Sequence, residues 1–210
     1  MNLEKDEINR LEKKYKISLI NSITGIKPAN LIGTRSKKGN DNVAIFSSVV
    51  HLGSNPPLIG MITRPQSPHP KDSYTNIMDT GYYTINHVSQ SFIKKAHYTS
   101  AKLKSDVSEF DVMNLERAFL GDFFAPFVRQ STVKIGMEHK ENISLPNGCI
   151  MIIGEVVLIN LPDAILNEQA HLDLSSYDCV GISGLNTYYS LNNLESFPIV
   201  REHNLPDFNE

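Results

Sequence analysis

From Ala29 onward the apolar residues come in short blocks broken by Gly, Pro, Asn and Ser, whereas in the first 25 residues they fall three and four apart. The second spacing belongs to helices and the first to strands. Ile8, Leu11 and Tyr15 line one face of a predicted helix over residues 4–16. Its start carries Glu4, Asp6 and Glu7 and its end Lys13, Lys14 and Lys16, the charge order that a helix dipole favours. A second short helix is predicted over 18–24, stopped by Gly25 and by Pro28 beyond it. "ANLIGTRSKKGNDNVAIFSSVV" (29–50) then reads as strand, polar turn, strand, with "RSKKGNDN" as the hairpin loop. "SNPP" breaks the chain before "LIGMITRP" (58–65). "GYYTINHV", "STVKIGME", "CIMIIGEVVLI" and "YDCVGISG" bring the count to about seven strand candidates.

Most of these blocks are apolar on both faces. Residues 132–137 alternate cleanly, with Val133, Ile135 and Met137 against Thr132, Lys134 and Gly136. Strands apolar on both faces need cover on both sides, which a barrel wrapped by helices or by a second subunit supplies. "SQSFIKKAHYTSAKL" (89–103) has helical spacing, with Phe92, Ile93 and Ala96 turned inward. The aromatics of 107–128 (Phe110, Phe119, Phe123, Phe124, Phe127) suit either a loop packed on the core or a subunit contact. No repeat or linker divides the chain, so the expectation is one β-rich domain over residues 1–210 with peripheral helices and a short N-terminal helical extension over about 1–25.

Composition narrows the chemistry. A net charge of -3 over 210 residues, with no dense Lys/Arg run, argues against nucleic acid as a partner. The charged N-terminus lacks the apolar core of a signal peptide, and no apolar run approaches the ~20 residues that span a bilayer. A soluble, cytoplasmic protein without membrane association is expected. Cys149 and Cys179 have neither Cys-x-x-Cys spacing nor a matching histidine pattern, and both read as small buried hydrophobes; no metal is indicated. There is no Gly-x-Gly-x-x-Gly and no Walker loop, and "GISG" (181–184) lacks the spacing of a nucleophile elbow. These absences remove the commonest hydrolases and kinases but leave an enzyme whose chemistry a cofactor carries.

Three stretches then stand together: "NVAIFSSVV" (42–50), "MITRP" (61–65) and "KDSYTNIMDTGYYTINH" (71–87). With Pro56-Pro57-Leu58, "CIMIIGEVVLI" (149–159) and, more loosely, "GISGLNTYYSL" (181–191), their order and spacing resemble the flavin reductase-like family, over about Ser18 to Ser190. The resemblance implies a mainly β fold, a Greek-key FMN-binding split β-barrel with peripheral helices, and a homodimer with flavin near the interface. It implies an FMN-dependent oxidoreductase that takes hydride from NADH or NADPH and passes electrons to a flavin, another small molecule or a partner redox protein. An FMN-binding electron carrier without direct NAD(P)H activity is the alternative, and a cofactor-free β-barrel binding module a third.

Under that resemblance FMN brings a dianionic phosphate, a hydroxylated ribityl chain and a flat ring with polar edges. A barrel without a glycine loop at a helix start must hold the phosphate with cations, hydroxyls and exposed N–H groups. Arg64, at a strand end, and Lys71 and Ser73, in the loop after it, are the candidates. Ser47 and Ser48 either offer hydroxyls and backbone groups to the ring edge and ribityl chain or bond to neighbouring strands. Phe46 belongs to the same strand, and Asn42 and Thr34 flank the hairpin. Tyr74 either covers a ring face or packs. His97 is the one catalytic candidate, meeting nicotinamide or substrate or giving a proton to reduced flavin, against a packing role on its helix. His51 and His87 read as structural, Asn86 as a cap or strand bridge, and Glu155 as solvent-facing or paired with a base.

Overall fold

Leu31 and Ile32 are neighbours in sequence, both fully buried, and they point to opposite faces of one strand. Leu31 joins a core with Val43, Val88, Phe92, Phe110 and Ile182, and Ile32 joins a second core with Met61, Ile77, Tyr83, Ile85, Met137 and Ile152. A strand between two cores is the reason its pattern does not alternate.

The computed structural model describes residues 1–68, 70–198, 200, 201 and 205. Two helices open the chain, α1 (Lys5–Arg10) and α2 (Lys13–Ser22). Strands β1 (Lys27–Pro28), β2 (Asn30–Arg35), β3 (Asp41–Phe46), β4 (Val50–Ser54) and β5 (Pro57–Thr63) follow, then helix α3 (Asp72–Thr80). Strand β6 (Tyr82–His87) leads to α4 (Ile93–Tyr98) and the one-turn α5 (Glu109–Val112). The rest holds the short pair β7 (Arg117–Ala118) and β8 (Phe127–Val128) and the strands β9 (Lys134–Ser144), β10 (Ile150–Asn160), β11 (Val180–Ser183) and β12 (Thr187–Ser190).

Seven strands form one antiparallel sheet in the order β3-β2-β6-β9-β10-β5-β4, and β1-β11-β12 form a small second sheet. Ile32 of β2 and Met61 of β5 lie far apart in that order yet share one core, which requires the sheet to curl into a barrel. Ser48 marks the closure: its hydroxyl donates to the Ile62 carbonyl at 2.9 Å and accepts from the Ile62 N–H at 3.1 Å, tying the end of β3 to β5. The long β9–β10 hairpin shifts register near Gly154, where a Cβ would lie 2.3 Å from the Tyr83 hydroxyl. Only glycine lets that bulge pass over the buried ring. The fold is the expected mainly β split barrel with peripheral helices.

Local details differ from the pattern. The expected helix over 4–16 breaks at Leu11 because Glu12 caps a new one, its carboxylate accepting from the N–H groups of Lys14 and Tyr15. The predicted 18–24 helix is the end of α2. Within 89–103 only one turn of 3₁₀ helix and α4 form, and the rest is loop. The aromatics of 107–128 divide: Phe110 and Phe127 are fully buried, whereas Phe119 and Phe124 are exposed. Cys179 is buried and Cys149 only half so. Among the described residues no helix is long and apolar enough to cross a membrane.

Candidate functional site

Pairing of β3 with β2 and of β5 with β10 fixes the ends of β3 and β5, and α3 starts beside them. Together these build one side of a cavity of about 580 Å³, lined there by Asn42, Phe46, Ser47, Ser48, Arg64, Lys71 and Ser73. The loop Thr99–Leu103 with Ser105, the buried Glu109, and Asn21 and Leu185 complete it. The volume suits a cofactor-sized ligand. A second hollow, bordered by Leu120, Phe123, Val157 and Ile159, is shallow and has no cation on its wall.

Seven of the ten predicted site residues thus meet at one cavity. Arg64 and Lys71 are exposed to it, and neither side chain forms an ion pair among the described residues. Lys71 caps α3 in extended conformation, and the helical ladder begins only with the Thr75 N–H donating to the Lys71 carbonyl. The N–H groups of Asp72, Ser73 and Tyr74 therefore start the helix without intrahelical acceptors, the usual surroundings of a bound anion. The sequence reading puts Lys71 and Ser73 in a loop; Lys71 does end that loop, and only Ser73 is corrected. Ser73 lies in the first turn of α3, buried, with its hydroxyl 2.9 Å from the Asn42 amide.

The paired serines separate. Ser48 is engaged with Ile62 as described, so its hydroxyl follows the strand-bonding alternative. The Ser47 hydroxyl has no hydrogen-bond partner among the described residues and faces the cavity.

Three predicted residues lie off the wall. Thr34 is fully buried behind Asn42, its hydroxyl accepting from Asn76 Nδ2 at 3.1 Å. Tyr74 packs against the barrel core. His97 turns away, with Nδ1 3.1 Å from the Tyr188 hydroxyl and its ring edge-on to Tyr98 and Tyr188. Of the other readings, Asn86 bridges β2 and β8, donating to the Leu31 carbonyl at 3.0 Å and accepting from the Val128 N–H at 2.9 Å. Glu155 pairs with Lys140 at 2.9 Å, and His51 contacts Ser54. His87 meets the Tyr177 hydroxyl at 2.9 Å, and burial pushes its pKa down to about 4.

Sequence reasoning missed Glu109, Lys102, Asn21 and Leu185. Glu109 is the notable omission, a carboxyl on the wall and almost fully buried. Burial raises its pKa, its own N–H and that of Val43 offset part of the rise, and the Asp72 charge adds to it. Its position depends on Arg117, which holds Asp41 of β3 at 2.9 Å, Asp111 at 2.7 Å and Ser108 at 3.1 Å and lies over the Phe110 ring. That cluster presses α5 onto β3. Arg35 reinforces it from β2 through Asp41 at 2.7 Å. Among the described residues no group of His, Cys, Asp or Glu has a metal-holding arrangement.

Comparison with known proteins adds to this geometry. The family model described as flavin reductase like domain matches residues 26–177. The chain superposes with a TM-score of 0.91 on a candidate flavin reductase with split barrel domain from Shewanella frigidimarina NCIMB 400. The two are 45% identical, with 95% of this chain and 100% of that one covered. Nitrilotriacetate monooxygenase component B from Bacillus cereus matches with a TM-score of 0.83 at 18% identity, covering 94% of this chain and 98% of that one. An FMN-binding protein from Thermus thermophilus, solved with 1-cyclohex-2-enone, matches with a TM-score of 0.68 at 15% identity, covering 83% and 90%. The last two share the fold.

Proposed function

The chain belongs to the flavin reductase-like family, and we propose that it is an FMN-dependent oxidoreductase. In this reading it takes hydride from NADH or NADPH and passes the electrons to a flavin, another small acceptor or a partner redox protein. The observation that carries the reading is the meeting of Arg64, Lys71, the open start of α3 and the free Ser47 hydroxyl at one cavity. A dianionic phosphate needs cations and N–H donors, which Arg64, Lys71 and α3 supply. Ser47 and the backbone after Phe46 offer polar groups for a ribityl chain or ring edge, while Phe46, Ile45 and Leu103 give apolar cover. The donor set therefore fits FMN. Bound there, FMN would supply two-electron redox chemistry, for which the cavity wall holds no cysteine pair. The residues bind and orient it, and the loop after α4 limits water at its face. Names of the structural neighbours, one an FMN-binding protein and one a monooxygenase component, point the same way.

A cytoplasmic homodimer belongs to the same proposal. Phe119 and Phe124 are 47% and 40% exposed, and Val157 and Ile159 add further exposed apolar surface, which a second copy would cover. Sedimentation should then give twice the mass of the chain.

Anaerobic mixing of FMN-loaded protein with each nicotinamide tests the reading. Rapid bleaching of the visible flavin absorbance is expected with at least one of them. Bound FMN that neither nicotinamide bleaches would leave an electron carrier instead. A colourless protein that cannot be reconstituted with FMN would remove the flavin reading.

A further inference from the structure

The hydrogen-bond donors on the cavity wall fall into two sets, and a flavin phosphate needs one of them. Arg64, Lys71 and the open N–H groups of α3 form the first, on the strand side. The second is the loop after α4. Its start is anchored. The Thr99 hydroxyl donates to the Ala96 carbonyl at 2.7 Å, and the N–H groups of Ser100 and Ala101 donate to the carbonyls of His97 and Tyr98 at 3.1 and 3.0 Å.

Beyond Ala101 the bonding stops. Among the described residues, the N–H groups of residues 102–105 have no acceptor, and neither have the hydroxyls of Ser100 and Ser105. The Lys102 ammonium forms no ion pair among them. Ser100, Lys102, Leu103 and Ser105 all line the cavity. Water satisfies these donors in the free protein, and an anion replaces that water with charge-assisted bonds.

The acids on the wall do not compete for the loop. Asp72 opens α3, and Glu109 lies against the Val43 N–H of β3. The Lys27 ammonium donates to the Asn21 carbonyl at 2.6 Å, which puts a further cation beside a wall residue. One dianionic flavin phosphate is matched by Arg64, Lys71 and the start of α3. The loop set is left for a second phosphate-bearing molecule in the same cavity. The proposed reaction brings one, because hydride transfer sets a nicotinamide against the flavin, and the dinucleotide carries its pyrophosphate into the site with it.

We propose that the 99–105 loop is a second anion site, distinct from that of the flavin phosphate, and that it takes the pyrophosphate of the nicotinamide dinucleotide. Lys102 is its cation, and the Ser100 and Ser105 hydroxyls and the open N–H groups are its neutral donors. The inference rests on the flavin reading above. It assigns flavin affinity and reductant affinity to different walls of one cavity. These groups bind and orient the dinucleotide, and no bond is made or broken by them.

The test uses ADP-ribose, which carries the pyrophosphate without the nicotinamide and therefore binds without turnover. FMN-saturated, oxidised protein is titrated with it calorimetrically at low and at moderate salt. In Lys102→Glu, ADP-ribose should bind on the order of tenfold more weakly, the effect of reversing one nearby charge. Its affinity should also depend less on salt than in the wild type, while FMN affinity falls by a smaller factor. Arg64→Ala, kept saturated with excess FMN, should show the opposite order. The double variant Ser100→Ala, Ser105→Ala keeps every charge, gives a second reading of the loop, and should weaken ADP-ribose several-fold. Equal losses of FMN and ADP-ribose affinity in Lys102→Glu would place that lysine with the flavin phosphate and overturn the proposal. Unchanged ADP-ribose affinity in Lys102→Glu or in the double variant would overturn it too, as would FMN-loaded wild type that binds no ADP-ribose. A second FMN held in a Lys102-dependent way would give the loop to another flavin and refute the assignment. Absence of FMN binding by the wild type would instead remove the flavin reading itself.

Discussion

The two sides of the cavity are built differently. One side is the ends of β3 and β5 and the start of α3, and it carries Asn42, Phe46, Ser47, Arg64, Lys71 and Ser73. Backbone ladders hold these strands, and Ser48 ties them together across the barrel closure. The other side is the loop Thr99–Ser105 and Glu109 on a single helical turn, with Asn21 and Leu185 from the two ends of the chain. A few ion pairs around Arg117 hold Glu109 in place. Regular elements give side chains fixed positions, whereas loops on a rigid scaffold adapt. We therefore expect the strand side to set flavin affinity and the loop side to tune it.

The sharpest way to break this contrast is at the cations. Arg64→Ala and Lys71→Ala should each weaken FMN binding by on the order of 1.5–3 kcal/mol, the loss of a charge-assisted hydrogen bond, with the melting temperature unchanged. Fluorescence titration beside thermal unfolding reads both. Unchanged affinity would move the phosphate to the loop side.

Acid should loosen the frame that carries both sides. His87 titrates near 4 in the fold because burial penalises its charge, against about 6.5 unfolded. Between those values the unfolded chain binds a proton that the native one refuses. Its contribution is therefore complete above about pH 6.5 and is lost as pH falls toward 4, up to about 3 kcal/mol. Urea unfolding at pH 7 and 4.5 measures the slope, and His87→Phe should flatten it.

The adjacent serines give a comparison within one strand end. Ser48→Ala strips the Ile62 N–H and carbonyl of their partner and should cost about 1–3 kcal/mol of stability. Ser47→Ala should change stability by less than about 0.5 kcal/mol and lower FMN affinity instead. Equal melting temperatures for the two variants would refute the assignment. Smallest is Lys102→Ala on the exposed loop, where solvent screening limits the effect to about 0.2–1 kcal/mol in FMN affinity.

The strand side was legible for physical reasons. Short apolar blocks between Gly, Pro and Asn are what a two-cored barrel demands, and the resemblance grouped Arg64, Lys71 and Ser73. Even there, Ser73 reads as loop, and the Asp, Ser, Thr and Asn of "DSYTNIMDT" are poor helix formers. Packing of Ile77 into the barrel core and the left-handed Gly81 that ends the helix decide otherwise. The loop side left no local mark. Glu109 becomes a buried wall residue through Arg117, which reaches Asp41 at 76 positions' separation. His97 is drawn away by Tyr188 at 91 positions' separation. Neither pairing has a periodicity to read.

Hydrogen–deuterium exchange with and without saturating FMN tests the central claim most directly. The account predicts protection at residues 46–48, at the start of α3 and in the 99–105 loop, with little change elsewhere. Protection centred on residues 120–123 and 157–160, around the shallow hollow, would contradict it.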